Sequence, residues 1–176
     1  MKKLITEELN RINIDEFKAT KKTPIIVVLD NIRSLNNVGS VFRTSDAFLI
    51  EAIYLCGITA QPPHKDIHKT ALGATDSVEW QYFENTQEAI DQLKANDYLV
   101  ASVEQTENSV KLQELKMDKQ KKYAIVLGHE VKGVDQTVID QSDFVIEIPQ
   151  FGTKHSFNIS VTTGIVLWEM FRQFKF

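Results

Sequence analysis

Six short runs rich in β-branched and aromatic residues recur along the chain: PIIVVLD (24–30), AIYLC (52–56), VEWQYF (78–83), YLVASVE (98–104), YAIVLG (123–128) and FVIEIP (144–149). Helix-compatible segments separate several of them. Residues 38–48 suit a helix, 85–95 place Ala89, Ile90 and Leu93 at helical spacing, and 156–174 predict a long final helix. Strands that alternate with helices in this way predict an α/β fold, a mostly parallel sheet with helices on both faces.

A chain of 176 residues with 43% hydrophobic content is sized for one core. The expected organisation is an N-terminal helical arm over 1–23 and one domain over 24–176. No apolar run approaches the roughly 18 residues of a membrane span, so neither a signal peptide nor a transmembrane helix is expected, and the expected location is cytoplasmic. The single cysteine, Cys56, excludes an internal disulfide and a cysteine-rich zinc site. A net charge of −4 counts against a nucleic-acid partner that needs a general basic footprint, so any nucleic-acid surface must be a local patch.

Glycine placement excludes further classes. A dinucleotide site needs a glycine-rich turn directly after the first strand, where bare backbone meets the ligand. Here PIIVVLD runs into NIRSLNNVGSVFR, and neither GxGxxG nor GxxxxGK[ST] occurs. A GxSxG elbow is also missing, so a hydrolase would have no local signature.

Three segments concentrate polar side chains at predicted strand ends. In LDNIRSLNNVGSVFRTSDAF, Asn37 and Arg43 lie six residues apart; by themselves they read equally as a helix cap and a solvated surface arginine. In YAIVLGHEVKGVDQ a buried strand ends at Leu127 and Gly128, followed by a polar turn with Glu130 and Gly133. In FVIEIPQFGTKHSFNISVTTG a strand stops at Ile148 and Pro149, and a helix opens near Ser156 and Asn158.

In type and spacing these segments resemble the three motifs of the SpoU/TrmH class of the SPOUT superfamily. Asn37, Gly39 and Arg43 match the first; Gly128, Glu130 and Gly133 the second; Ile148, Pro149, Gly152 and Ser156-Phe157-Asn158-Ile159-Ser160 the third. Val131 stands where many relatives carry glycine, and Phe157 where leucine is usual. The resemblance covers the chain from about Pro24 onward, and the PPHKDIHKTALGA segment is also similar to this group.

The resemblance implies a C-terminal trefoil knot, a homodimer, S-adenosyl-L-methionine as cofactor, and 2'-O-ribose methylation of tRNA or rRNA. It implies catalytic roles for Arg43, Asn37, Glu130, Ser156 and Asn158. Cofactor contacts are expected at Val103, Glu104, Leu127, Gly128, Ile148, Ser156 and Phe157. An arginine with a pKa above about 12 is a poor base, so Arg43 is expected to hold the neighbouring phosphate and hydroxyl instead of abstracting the proton. With about 23 residues before the first strand, the extra N-terminal RNA-binding domain of many relatives is not expected.

Lys65, Lys69 and Arg33 are the expected RNA contacts, Lys65 and Lys69 on an exposed basic loop that Pro62 and Pro63 keep irregular. His64 and His68 share a helical spacing, but the flanking prolines and lysines favour that loop over a metal site, so no metal is expected. Two other functions stay open: a base-modifying enzyme of the same fold, and a noncatalytic RNA-binding module that keeps it as a scaffold.

Overall fold

The structure is a computed structural model that describes the backbone of residues 1–176 and every side chain except those of Thr6 and Glu7. In chain order the elements are α1 (Ile14–Ala19), β1 (Thr23–Asp30), α2 (Leu35–Ala47), β2 (Ile50–Cys56), α3 (Lys65–Ala71), α4 (Ala74–Ser77), β3 (Glu79–Phe83), α5 (Thr86–Ala95), β4 (Tyr98–Val103), β5 (Val110–Lys111), β6 (Lys122–Leu127), α6 (Gln136–Gln141), β7 (Phe144–Glu147) and α7 (Ile159–Lys175). Short 3-10 turns add Thr6–Leu9 and Leu112–Glu114.

All seven strands join one sheet in the order β3-β2-β1-β6-β4-β7-β5, and every pairing is parallel. Side chains of a strand alternate between faces, and each face here has its own core. Ile25, Val27 and Leu29 of β1 join Val41, Phe42, Leu167 and Met170 on one side. Ile26 and Val28 join Ile90, Leu93 and Val138 on the other. Helices therefore cover both faces, as apolar strands require. The N-terminal arm shares the first core through Phe17, only 3% exposed.

Because the strands are parallel, their C-terminal ends and the loops that follow lie along one edge of the sheet. The chain leaves β1 toward β2 and β3, then returns so that β6 lies on β1's other side. Loops after two strands flanking such a reversal diverge and leave a crevice, the usual ligand position in open α/β sheets.

The region between β2 and β3 differs from the sequence expectation. Past the prolines, KDIHKTA carries no breaker before Gly73, and burial of Ile67 and Ala71 at helical spacing organises α3. What reads as a long basic loop is therefore two short helices. The helix α2 also starts one turn before residue 38, capped by Ser34, whose Oγ accepts from the Asn37 N–H at 3.3 Å. Strand β5, helix α6 and the 3-10 turns are too short to leave a periodic signal.

Gly39 has a definite packing role. A Cβ on it would lie 2.1 Å from Thr70 Oγ1 and 2.2 Å from the Ile67 carbonyl oxygen, so α3 rests directly on the α2 backbone. On α7, Thr163, Val166, Leu167 and Met170 are buried, while Val161, Ile165 and Trp168 remain 50%, 36% and 50% exposed along another face. Among the described residues no helix is long and apolar enough to cross a membrane, and no group of three or more His, Cys, Asp or Glu side chains is arranged to hold a metal ion.

Candidate functional site

Beside that reversal, on the β6 side, lies a cleft of about 700 Å³ formed by the loops after β4, β6 and β7 and the start of α7. Val103, Leu127, Ile146, Ile148 and Phe157 form its apolar wall; Glu104, Gln105, Gln150 and His155 supply polar groups. Each residue expected at the cofactor, namely Val103, Glu104, Leu127, Gly128, Ile148, Ser156 and Phe157, lines this one cleft, as do Glu130 and Asn158.

Its floor is shaped by backbone packed on backbone. A Cβ on Gly128 would lie 2.2 Å from Gly133 C and Val134 N, so the turn after β6 closes only if residue 128 has no side chain. Gly133 adopts φ +71°, a left-handed conformation that glycine takes without strain, and its N–H donates to the His129 carbonyl at 2.8 Å. His129 Nδ1 accepts from the Val131 N–H at 3.0 Å and braces the same turn. Glu104 does more than line the wall. Its Oε2 accepts from Val134 N–H at 3.2 Å and its Oε1 from Gln105 N–H at 2.8 Å, which ties the loop after β4 to the turn after β6.

At the rim, the three polar segments converge. Glu130 accepts from the backbone N–H groups of Arg33 at 3.1 Å and Ser34 at 3.0 Å, and from the Asn37 side-chain amide at 3.3 Å. Asn37 Oδ1 in turn accepts from Asn158 Nδ2 at 3.2 Å. Asn158 is also the N-cap of α7, its Oδ1 accepting from Ser160 N–H at 2.9 Å. Asn37 is therefore not a helix cap but the junction between a carboxylate and a second amide. Burial pushes the Glu130 carboxyl up, but the Arg33 and Ser34 N–H groups and the Asn37 amide outweigh it and hold the group below its ordinary range.

Arg43 is not drawn into this network. Six residues beyond Asn37 it stands about 9 Å further along α2. It is exposed and its side chain makes no hydrogen bond or ion pair among the described residues, so its guanidinium is free to meet something outside the chain. Ser156 lies in the exposed loop before α7 instead of opening the helix. Of the expected RNA contacts, Arg33 is exposed beside Glu130, Lys69 is tied to Asp66 at 2.7 Å, and Lys65 has no ion pair among the described residues. Sequence reasoning missed the bracing by His129 and the bond from Gln105 Nε2 to the His155 carbonyl at 2.7 Å. The first had a signal in its place directly after Gly128; the second joins loops 50 residues apart and had none.

The sequence profile of the SpoU rRNA Methylase family matches residues 24–168. A Staphylococcus epidermidis protein named for the TrmH family of tRNA/rRNA methyltransferases is 31% identical over 165 residues, which cover 92% of this chain and 65% of that relative. The chain thus spans just under two thirds of that relative's length. Among solved structures, an A. aeolicus TrmH/SpoU tRNA modifying enzyme superposes with a TM-score of 0.81 at 25% identity, covering 92% of this chain and 82% of that one. An AdoMet-bound rRNA methyltransferase from Sinorhizobium meliloti gives 0.79 at 25% identity, covering 89% and 59%.

Proposed function

Because the chain belongs to the SpoU rRNA methylase family, we propose that it is an S-adenosylmethionine-dependent RNA methyltransferase that modifies a ribose 2'-oxygen of tRNA or rRNA. The observation that carries this reading is the Asn37–Glu130–Asn158 network, which joins three segments far apart in sequence at the rim of a cleft sized for one small ligand. The same reading includes a trefoil-knotted C-terminal half within domain 24–176, a homodimer and a cytoplasmic location.

The cleft suits the cofactor. Its apolar wall matches an adenine ring, and the glycine-shaped turn leaves backbone at Leu127, Gly128, Ile148 and Phe157 to hold adenosine without relying on side-chain identity. When bound, S-adenosylmethionine supplies an electrophilic methyl group. The chain's own tasks are to align a ribose hydroxyl and to let its proton leave. Arg43 holds the phosphate beside that hydroxyl, and the phosphate oxygen takes the proton, since a guanidinium does not deprotonate in this range. Asn37, held by Glu130, and Asn158, held by Asn37, orient the ribose; Ser156 supplies a polar contact beside the transferred group.

Two measurements test this reading. Calorimetric titration should detect S-adenosylmethionine binding, and a noncatalytic scaffold would give no heat. Nucleoside mass spectrometry of RNA from cells with and without the protein should then find one ribose-methylated nucleoside missing; a missing base-methylated nucleoside instead would overturn the ribose assignment.

A further inference from the structure

A second cavity lies between α3, α4 and β3, away from the cleft. It encloses about 480 Å³, with Trp80, Pro62, Pro63 and Ile67 among its lining residues and Lys65 and His68 beside them. Single small ligands occupy pockets of about 300–1,000 Å³. Two of its features point to the same chemistry. Trp80 is half-buried against the core and presents an aromatic surface, which favours a flat conjugated ring. Lys65 is exposed and, among the described residues, makes neither hydrogen bond nor ion pair, whereas Lys69 four residues on is neutralised by Asp66 at 2.7 Å. An indole and an ammonium outside any ion pair, lining one cavity, match a nucleobase joined to a phosphate. Asp76, also on the lining, offers a carboxylate to a base amino group or a ribose hydroxyl.

The position fits as well as the chemistry. Thr70 Oγ1 donates to the Asn36 carbonyl at 2.9 Å, and Gly39 lets α3 sit on the α2 backbone, so the cavity is built on the helix that carries Asn37 and Arg43. Its entry loop, 57–64, also leaves the same edge of the sheet as the loops of the cleft.

We propose that this cavity binds one unpaired nucleotide of the RNA substrate, other than the one modified, with its base against Trp80 and its phosphate on Lys65. The proposal rests on the RNA-methyltransferase reading for the identity of the strand.

Trp80→Leu should raise the Kd for substrate RNA about 5-fold or more, the loss expected when one base loses its stacking partner. S-adenosylmethionine affinity and kcat at saturating RNA should stay unchanged. Lys65→Gln, an exposed change that leaves packing intact, should also weaken RNA binding and flatten its salt dependence. The occupant is read separately from the indole N–H signals of Trp80 and Trp168, assigned by the one lost in Trp80→Leu. A single-stranded RNA tetranucleotide should shift the Trp80 signal, and Lys65→Gln should weaken that titration. An unmoved Trp80 signal, or a wild-type RNA Kd in both variants, overturns the proposal even in a chain that methylates RNA. A shift with adenosine or uridine 5'-monophosphate and none with the tetranucleotide overturns it in favour of a free-nucleotide site. Failure of the methyltransferase reading is distinguishable, because it appears as no S-adenosylmethionine binding and no methylated RNA, whatever the Trp80 signal does.

Discussion

Glu130 and Arg43 stand on opposite sides of one distinction, between groups that build the site and groups left free to act. Glu130 spends its charge inside the protein, on two backbone N–H groups and one amide. A carboxyl held below its ordinary range stabilises the folded state above the unfolded pKa, and that contribution is lost as pH falls through the folded value. Wild type should therefore exceed Glu130→Gln in urea midpoint at neutral pH, with the gap closing once pH drops below about 4. A gap independent of pH would show that the charge is not what ties the loop. Arg43 spends nothing inside the chain. Arg43→Lys keeps the charge but loses the planar fork, so turnover should fall by roughly 10² or more while S-adenosylmethionine affinity barely changes. Near wild-type turnover would remove Arg43 from catalysis, and loss of cofactor binding would assign α2 to the cofactor pocket.

Between elements, the α2–α3 crossing fixes how α3 sits on the helix that carries Asn37 and Arg43. Gly39→Ala would drive a methyl into the Thr70 hydroxyl, which can rotate away, and into the Ile67 backbone carbonyl, which does not move without moving α3. The substitution also improves helix propensity by about 1 kcal/mol, but separating two packed helices should leave a net cost of about 1–3 kcal/mol. A Tm fall of about 2–12 °C, read by calorimetry, is the expected result. An unchanged or raised Tm would mean that α3 yields easily and does not fix the α2 face.

At the scale of the molecule, α7 has more apolar surface than one chain covers. Val161, Ile165 and Trp168 lie at successive helical turns with Gly164 among them, and nothing within 4 Å would meet a Cβ there. Phe48 and Phe171 extend the patch, their rings 5.1 Å apart. A face of this kind fits a second copy of the chain. Light scattering should give about twice the 20.1 kDa chain mass at micromolar concentration, and Trp168→Glu should return it to the monomer value. A monomer mass for wild type would exclude the dimer.

Strand positions were legible because their signal is local: the runs of β1, β4 and β6 are apolar enough to identify strands buried on both faces, the edge strand β3 shows instead as aromatics among polar residues, and all six expected strands form within a residue or two of their expected bounds. The polar residues of the cleft were legible as types at fixed spacings. Their partnership was not. Asn37, Glu130 and Asn158 meet only because β1 and β6 become neighbours and α7 returns to the same sheet edge, and hydrogen bonds spanning 93 and 121 residues leave no trace in local pattern. The segment after Cys56 was misread for the opposite reason. Two prolines dominate its local pattern, whereas burial of Ile67 and Ala71 against α2 is a tertiary effect, and that packing turned an apparent loop into the helix that lines the second cavity.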